Sequence, residues 1–81
     1  MTDYFEDIKK LISNQFGIPE ENIEEDSLLD EDLSITDLDL EDLIAQIQNK
    51  YEVEIPQEIV SSFKKISDIV SYLYENAEIQ Q

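Results

Sequence analysis

Apolar residues recur every three or four positions over three stretches of this chain, which is the spacing of amphipathic α-helices. The first stretch covers residues 2–16, the second Asp37–Tyr51, and the last about 67–76, with Ser67 as its expected cap. A shorter apolar segment follows Pro56, a residue that suits the first position of a helix. The pattern therefore predicts an all-α four-helix bundle with three longer helices and one short helix, and no strands.

Residue types at the ends of these stretches predict where the helices begin and stop. Thr2 or Asp3 is placed to cap the first helix, and Gly17, the only glycine, follows it where a left-handed residue is favoured. For the second helix, both Thr36 and Asp37 are candidate caps. We expect Asp37 to be the cap, because its negative charge also suits the positive end of the helix dipole.

The connection between the first two long helices, residues 18–36, is acidic and unusually long for so small a domain. Loops of this length in compact domains are usually functional or partly helical. Single apolar residues recur along it and predict an ordered loop held against the core. These residues are Ile18, Ile23, Leu28, Leu29, Leu33 and Ile35.

The charge of the chain restricts its partners. It has 21 Asp plus Glu against 5 Lys plus Arg and no His, for a formal net charge of -16 at pH 7. Such a field repels nucleic-acid phosphates and anionic lipid headgroups, so we expect no nucleic-acid and no membrane partner. Basic patches on other proteins are the expected partners, and a monomer is the expected state.

The size and residue types of the chain also argue against catalysis. With 81 residues we expect one domain spanning 1–81, whose thin core leaves little room for a deep substrate pocket. The absence of Cys and His removes the usual nucleophile, general base and soft metal ligands. We therefore expect no enzyme. The first ten residues resemble no signal peptide and no apolar stretch reaches the length of a membrane span, so the cytoplasm is the expected location.

Several sequence pieces occur in an order that resembles the acyl carrier protein family over nearly the whole chain. After the first helix come Gly17-Ile18, the acidic loop ending in Asp32-Leu33, and the second helix. The most specific piece is Tyr-Glu-Val-Glu-Ile-Pro at 51–56, and residues 66–73 match the last helix. In that family the loop ends in Asp-Leu-Gly-x-Asp-Ser-Leu, and 4′-phosphopantetheine on the serine carries growing acyl chains. The resemblance implies the same helical bundle.

The attachment position departs from the family pattern. Aligned on Asp32-Leu33, the resemblance places Ser34 at the family glycine, Thr36 at the aspartate and Asp37 at the modified serine. A phosphodiester needs an alcohol oxygen, whereas a carboxylate would give a mixed anhydride that hydrolyses readily. We therefore expect no 4′-phosphopantetheine on Asp37 and, as the first hypothesis, no cofactor.

Other hydroxyls remain as alternative attachment points. Thr36 is adjacent to the family position and Ser34 lies three residues before it, while Ser27, in an Asp-Ser-Leu tripeptide, comes ten residues too early. The alternative function is thus a working acyl carrier of fatty-acid synthesis modified at a neighbouring hydroxyl. A further alternative is that Asp37 is an engineered replacement of serine.

The resemblance also implies a docking surface, because the second helix of the family presents acidic residues to basic patches on synthase and transferase enzymes. The expected docking residues are Asp39, Glu41, Asp42, Glu52 and Glu54. Residues 48–50, Gln-Asn-Lys, replace the glutamates with which that helix commonly ends. Our first hypothesis is a non-catalytic docking module related to fatty-acid or polyketide carriers.

A calcium-loop pattern gives an alternative of another class, an acidic cation-binding protein. Positions 1, 3, 5, 7 and 12 of the template are occupied by Asp30, Asp32, Ser34, Thr36 and Glu41. The template also requires Gly at position 6 and an apolar residue at position 8, where this chain has Ile35 and Asp37. We therefore expect no dedicated metal site.

Overall fold

The computed structural model describes residues 3–77, and all the regular elements in that range are helical. They are α1 (Tyr4–Phe16), a 3-10 turn (Glu20–Asn22), α2 (Asp37–Tyr51), α3 (Gln57–Val60) and α4 (Ile66–Asn76). This confirms the predicted fold class, three longer helices and one short helix. Thr2, one of the two caps expected for α1, lies outside the described residues. No helix between residues 3 and 77 is long and apolar enough to cross a membrane.

Both ends of α1 are fixed by the residues expected there. The side chain of Asp3 accepts a hydrogen bond from the backbone N–H of Glu6 at 3.2 Å. At the other end Gly17 adopts φ 71°, and its N–H donates to the carbonyl of Ser13 at 2.9 Å. This left-handed conformation carries a steric penalty for residues with a Cβ, so the single glycine of the chain stands where it is needed.

The core forms between α1, α2 and α4, and the apolar stripes predicted for these helices are its main components. Tyr4 packs edge-on against Tyr51 and Tyr74, with ring centroids 5.3 and 4.8 Å apart. The Tyr51 hydroxyl donates to a carboxylate oxygen of Asp7 at 2.8 Å, which ties α2 to α1. Burial raises the pKa of this hydroxyl, and the hydrogen bond and charge of Asp7 raise that pKa further, so Tyr51 stays protonated.

The acidic connection before α2 is ordered, as its apolar pattern predicts. Ile23, Leu29, Leu33 and Ile35 are buried, while Ile18 and Leu28 are half-buried. The connection also pairs with the segment preceding α4. The N–H of Leu29 donates to the carbonyl of Lys64 at 2.9 Å, and the N–H of Ile66 donates to the carbonyl of Ser27 at 3.1 Å. These bonds fix the loop that leads into α2.

The start of α4 differs from the expectation. Ser67 is not the cap: the helix already begins at Ile66, whose side chain is completely buried and whose N–H is held by Ser27. Instead, one carboxylate oxygen of Asp68 accepts from the backbone N–H groups of Lys64 and Lys65 at 2.9 and 3.1 Å. Burial of Ile66 thus places the cap at Lys65, two residues before the Ser67 that residue preference predicts.

The short third helix is a single turn. It begins at Gln57, so Pro56 is the residue before the helix. The sequence had predicted Pro56 as the first helical residue. The carbonyl of Pro56 accepts from the N–H groups of Ile59 and Val60 at 2.9 and 3.0 Å. Val60 is buried, and the helix gives way to a turn at Ser61.

Candidate functional site

The position that the resemblance assigns to prosthetic-group attachment is exposed. Asp37 is the first residue of α2, and its side chain lines a cleft of about 320 Å³ between the loop, α2 and α3. Buried apolar residues of the loop and of the segment after α3 also line this cleft, among them Leu29, Ile35 and Phe63. The cleft therefore combines buried apolar residues with charged side chains, the Asp37 carboxylate among them.

Thr36, and not Asp37, caps α2. The hydroxyl of Thr36 accepts from the backbone N–H of Asp39 at 3.1 Å, and a carboxylate oxygen of Asp39 accepts from the N–H of Thr36 at 3.3 Å. This reciprocal pair is a capping box. The expectation that Asp37 is the cap is wrong because Asp37 already lies within the helix, whereas Thr36 keeps the extended backbone (φ -78°, ψ 172°) of a cap.

We expect Thr36→Ala to lower the free energy of unfolding by about 1 kcal/mol, because it leaves a first-turn N–H without its side-chain acceptor. Asp37→Ala should change it by less than about 0.5 kcal/mol, since only a dipole interaction at an exposed position is lost. Urea denaturation at pH 7 measures both values. Thr36→Ser, which keeps the acceptor, is the matched control. A larger loss from Asp37→Ala than from Thr36→Ala would contradict this assignment.

Ser34 is held in a conformation that favours glycine. Its φ is +57°, in the left-handed region, and the residue is exposed. Its N–H donates to the carbonyl of Asp30 at 3.0 Å, and the next N–H, of Ile35, donates to the carbonyl of Leu29 at 2.8 Å. The tight loop before α2 therefore requires this backbone. The position that resembles the family glycine therefore has a backbone conformation that favours glycine, although it carries a side chain.

The hydroxyls near α2 differ in how available they are. Ser27 is buried and its hydroxyl accepts from the N–H of Glu24 at 2.9 Å, so it is closed to a transferase. The hydroxyl of Thr36 is engaged in the cap. Ser34 is exposed but lies on the loop, three residues before the position where α2 begins with Asp37. The side chains present do not fit attachment of the prosthetic arm at the family position.

The expected docking residues fall into two groups. Glu41, Asp42, Glu52 and Glu54 are exposed, so their charges are available to a partner. Glu52 also ends α2, with φ 53° and its N–H donating to the carbonyl of Gln48. Asp39 is half-buried and its carboxylate belongs to the capping box, so its first role is structural. Within residues 3–77, Lys9 and Glu6 form a close ion pair at 3.0 Å, and no residue of α2 takes part in such a pair.

Leu38 is a surface feature that the sequence analysis missed. Its side chain is 76% exposed, on the first turn of α2 beside Asp37. The residue lies off the apolar stripe that contains Leu40, Leu43 and Ile47, and this offset was the signal that could have revealed it. A large apolar side chain exposed among carboxylates suits contact with another protein.

The calcium-loop interpretation gains no support from the geometry. The described residues, 3–77, contain no group of three or more acidic side chains placed to hold a metal ion. Asp32 accepts from the N–H of Leu28 at 2.7 Å and Asp30 from the N–H of Glu31 at 2.7 Å. These two carboxylates therefore stabilise the loop backbone.

Comparison with known proteins identifies relatives of this chain. A family model described as "Phosphopantetheine attachment site" matches residues 6–73. The acyl carrier protein of Clostridium perfringens is 32% identical over 74 residues, which cover 91% of this chain and 97% of that protein. Those of Campylobacter lari and Campylobacter jejuni subsp. doylei are 33% and 35% identical over 69 residues, covering 85% of this chain and 90% of each relative.

The fold and these matches define a small helical domain of the carrier type, a class whose members hold a group for other enzymes and catalyse no reaction themselves. This chain belongs to the acyl carrier protein family. The expectation that it is not an enzyme is thereby confirmed. The family normally carries 4′-phosphopantetheine.

Proposed function

We propose that this chain is an acyl carrier protein family member that has lost pantetheinylation and acts as a docking module. The observation that carries the proposal is Asp37, an exposed carboxylate at the start of α2, at the position that resembles the attachment serine. No phosphodiester can form there. The family's surface for other enzymes is nevertheless retained beside it, because Leu38 and the carboxylates of Glu41 and Asp42 are exposed.

The chemistry of this surface specifies the partner. Exposed carboxylates without lysine partners attract a basic patch and speed the encounter, while an exposed leucine supplies an apolar anchor that is desolvated in the complex. Leu38 lies three residues before Glu41 and four before Asp42, so these side chains share one face of α2. We propose a partner surface with Lys or Arg side chains around a small apolar pocket.

The partner class follows from the relatives, which are named acyl carrier proteins. Enzymes that recognise such carriers, synthases and phosphopantetheinyl transferases of fatty-acid or polyketide synthesis, are the proposed partners. A net charge of -16 continues to argue against nucleic acid and anionic membrane surfaces. We propose a monomeric protein of the cytoplasm, where these enzymes act.

Docking without modification gives a direct test, in which the chain competes with an ordinary acyl carrier protein for a phosphopantetheinyl transferase. We expect the unmodified chain to slow transfer to the ordinary carrier, with no change in its own mass. Leu38→Ala should weaken this inhibition about tenfold, because an exposed apolar anchor is removed. Asn14→Ala, which truncates an exposed side chain on α1, is the control. Absence of inhibition at a large excess of the chain would contradict docking on this enzyme class.

The exposure of Ser34 favours one second candidate, a working carrier modified at that hydroxyl. In this case the wild-type chain itself would gain mass in the competition assay. Peptide mapping would then place the group on the loop and not on α2.

A further inference from the structure

One flank of α2 forms a continuous groove. The cleft beside Asp37 shares Glu41, Gln57 and Val60 with a second depression, and this depression shares Ala45, Gln48 and Ile55 with a third. The third ends at Glu52 and Pro56. We call this surface the α2–α3 groove, and it follows α2 from its first residue to the residue that caps its end.

The groove exists because α3 is too short to cover α2. The 15 residues of α2 span about 22 Å, whereas the four residues of α3 span about 6 Å. The extended segment before α3 forms the remaining wall, and hydrogen bonds fix it in place. The side-chain oxygen of Gln48 accepts from the N–H of Ile55 at 2.8 Å, and the Tyr72 hydroxyl donates to the carbonyl of Glu54 at 3.0 Å. The groove is therefore preformed.

The lining combines buried or half-buried apolar residues with exposed charged residues. Its apolar residues include Ile35, Leu40, Ile44, Ile55, Val60 and Phe63. Its charged residues are Asp30, Asp37, Glu41, Glu52, Glu54 and Lys64. Five carboxylates thus face one ammonium, and none of these six side chains forms a close ion pair within the described part of the chain. An occupant that covers the apolar residues and supplies cations to the exposed carboxylates satisfies both features.

We propose that the α2–α3 groove binds an amphipathic helix of a partner protein, with apolar residues on one face and Lys or Arg on both edges of that face. A helix of about four turns matches the length of α2. The groove walls are helix side chains and an already bonded segment, so they offer no free backbone edge to an extended peptide. This inference rests on the proposed docking function and adds the form of the partner segment and the flank of α2 that receives it.

The test uses a synthetic leucine–lysine helix of about 16 residues as the probe, titrated into the isotope-labelled full chain and followed by amide NMR shifts. We expect the largest shifts at groove residues such as Glu41, Ala45, Gln48 and Ile55, and saturation at one peptide per chain. A peptide with glutamate in place of every lysine should not bind. The same lysines and leucines arranged in alternation, which disfavours an amphipathic helix, should bind at least about tenfold more weakly.

Variants separate the groove from the rest of α2. Ala45→Trp, at an exposed position in the middle of the groove, should weaken peptide binding about tenfold by filling it. Gln46→Trp, at the next exposed position on the opposite flank, should leave binding unchanged. Removing two charges by Glu41→Gln with Glu54→Gln should weaken binding more than Asp42→Asn with Glu75→Gln. NMR spectra of the free variants check that each is folded.

The outcomes distinguish this inference from the proposed function. Shifts centred on Leu38 and Asp42, with the larger loss from the Asp42 pair, would overturn the groove and leave docking through α2 intact. Equal losses from both charge pairs, binding of the glutamate peptide, or no binding at all would also overturn it. Failure of docking itself is measured separately, as loss of competition in the transferase assay.

Discussion

Incubated with coenzyme A and a broad-specificity phosphopantetheinyl transferase, the Asp37→Ser variant is expected to gain the mass of one phosphopantetheinyl group, and the wild-type chain none. The reason is chemical, because the serine hydroxyl can form the phosphodiester that a carboxylate cannot hold. We expect modification to rise from undetectable to a major fraction of the protein. Intact mass measures this directly.

The surroundings of position 37 suit modification of the Asp37→Ser variant. Position 37 is exposed on the first turn of α2, with Leu38 exposed beside it. The helix cap belongs to Thr36, so the substitution leaves the capping box undisturbed. The local geometry that a transferase meets is therefore retained around the changed side chain.

Control variants make the result specific to position 37. Asp42→Ser places a hydroxyl elsewhere on the exposed side of α2 and should remain unmodified. Adding Ser34→Gly and Thr36→Asp to Asp37→Ser restores the family pattern and should increase the rate of transfer. If the wild-type chain gains the group at Ser34 or Thr36, loss of pantetheinylation is disproved and the chain is a working carrier.

Stability is expected to rise with ionic strength. The chain has a net charge of -16, and the close ion pair seen within residues 3–77 is the one between Lys9 and Glu6. Because few carboxylates are paired with a cation, they mainly repel one another. Salt screens this repulsion, and millimolar Mg²⁺ or Ca²⁺ should do so more effectively because of its double charge. Between low and moderate NaCl we expect a gain of at least about 1 kcal/mol, or roughly 4–8 °C in Tm. Calorimetry or circular dichroism measures the midpoint.

Charge removal provides the control for this effect. Glu20 and Glu21 are exposed in the 3-10 turn, and no side-chain hydrogen bond of either is seen within the described range. The double variant Glu20→Gln with Glu21→Gln should be more stable than wild type at low salt and should gain less on addition of salt. A midpoint that stays flat or falls with NaCl would show that charge repulsion does not limit stability.

The sequence by itself determined the helices and several of their ends. The spacing of apolar residues placed α2 at its observed bounds, because a stripe that repeats every three to four residues has to face the core. Gly17 marked the end of α1 and Asp3 was one of the two caps expected for its start, since a left-handed backbone and an unpaired N–H are local requirements that particular residue types meet. The composition also determined the acidic surface, and the motif alone led us to expect that Asp37 occupies the attachment position.

The tertiary structure decided between residues that local chemistry treats alike. Thr36 and Asp37 are both good caps, and the loop geometry imposed by the left-handed Ser34 and the buried Ile35 places Thr36 at the helix boundary. Ser67 is not the cap of α4, because Ile66 is buried in the core and the helix already begins there.

Only the assembled bundle could also reveal the α2–α3 groove. A groove depends on how much of α2 its neighbours leave uncovered, and the four residues of α3 leave most of that flank open. Residue spacing defines which face of a helix is apolar, whereas packing between distant segments decides how much of every other face remains accessible to a partner.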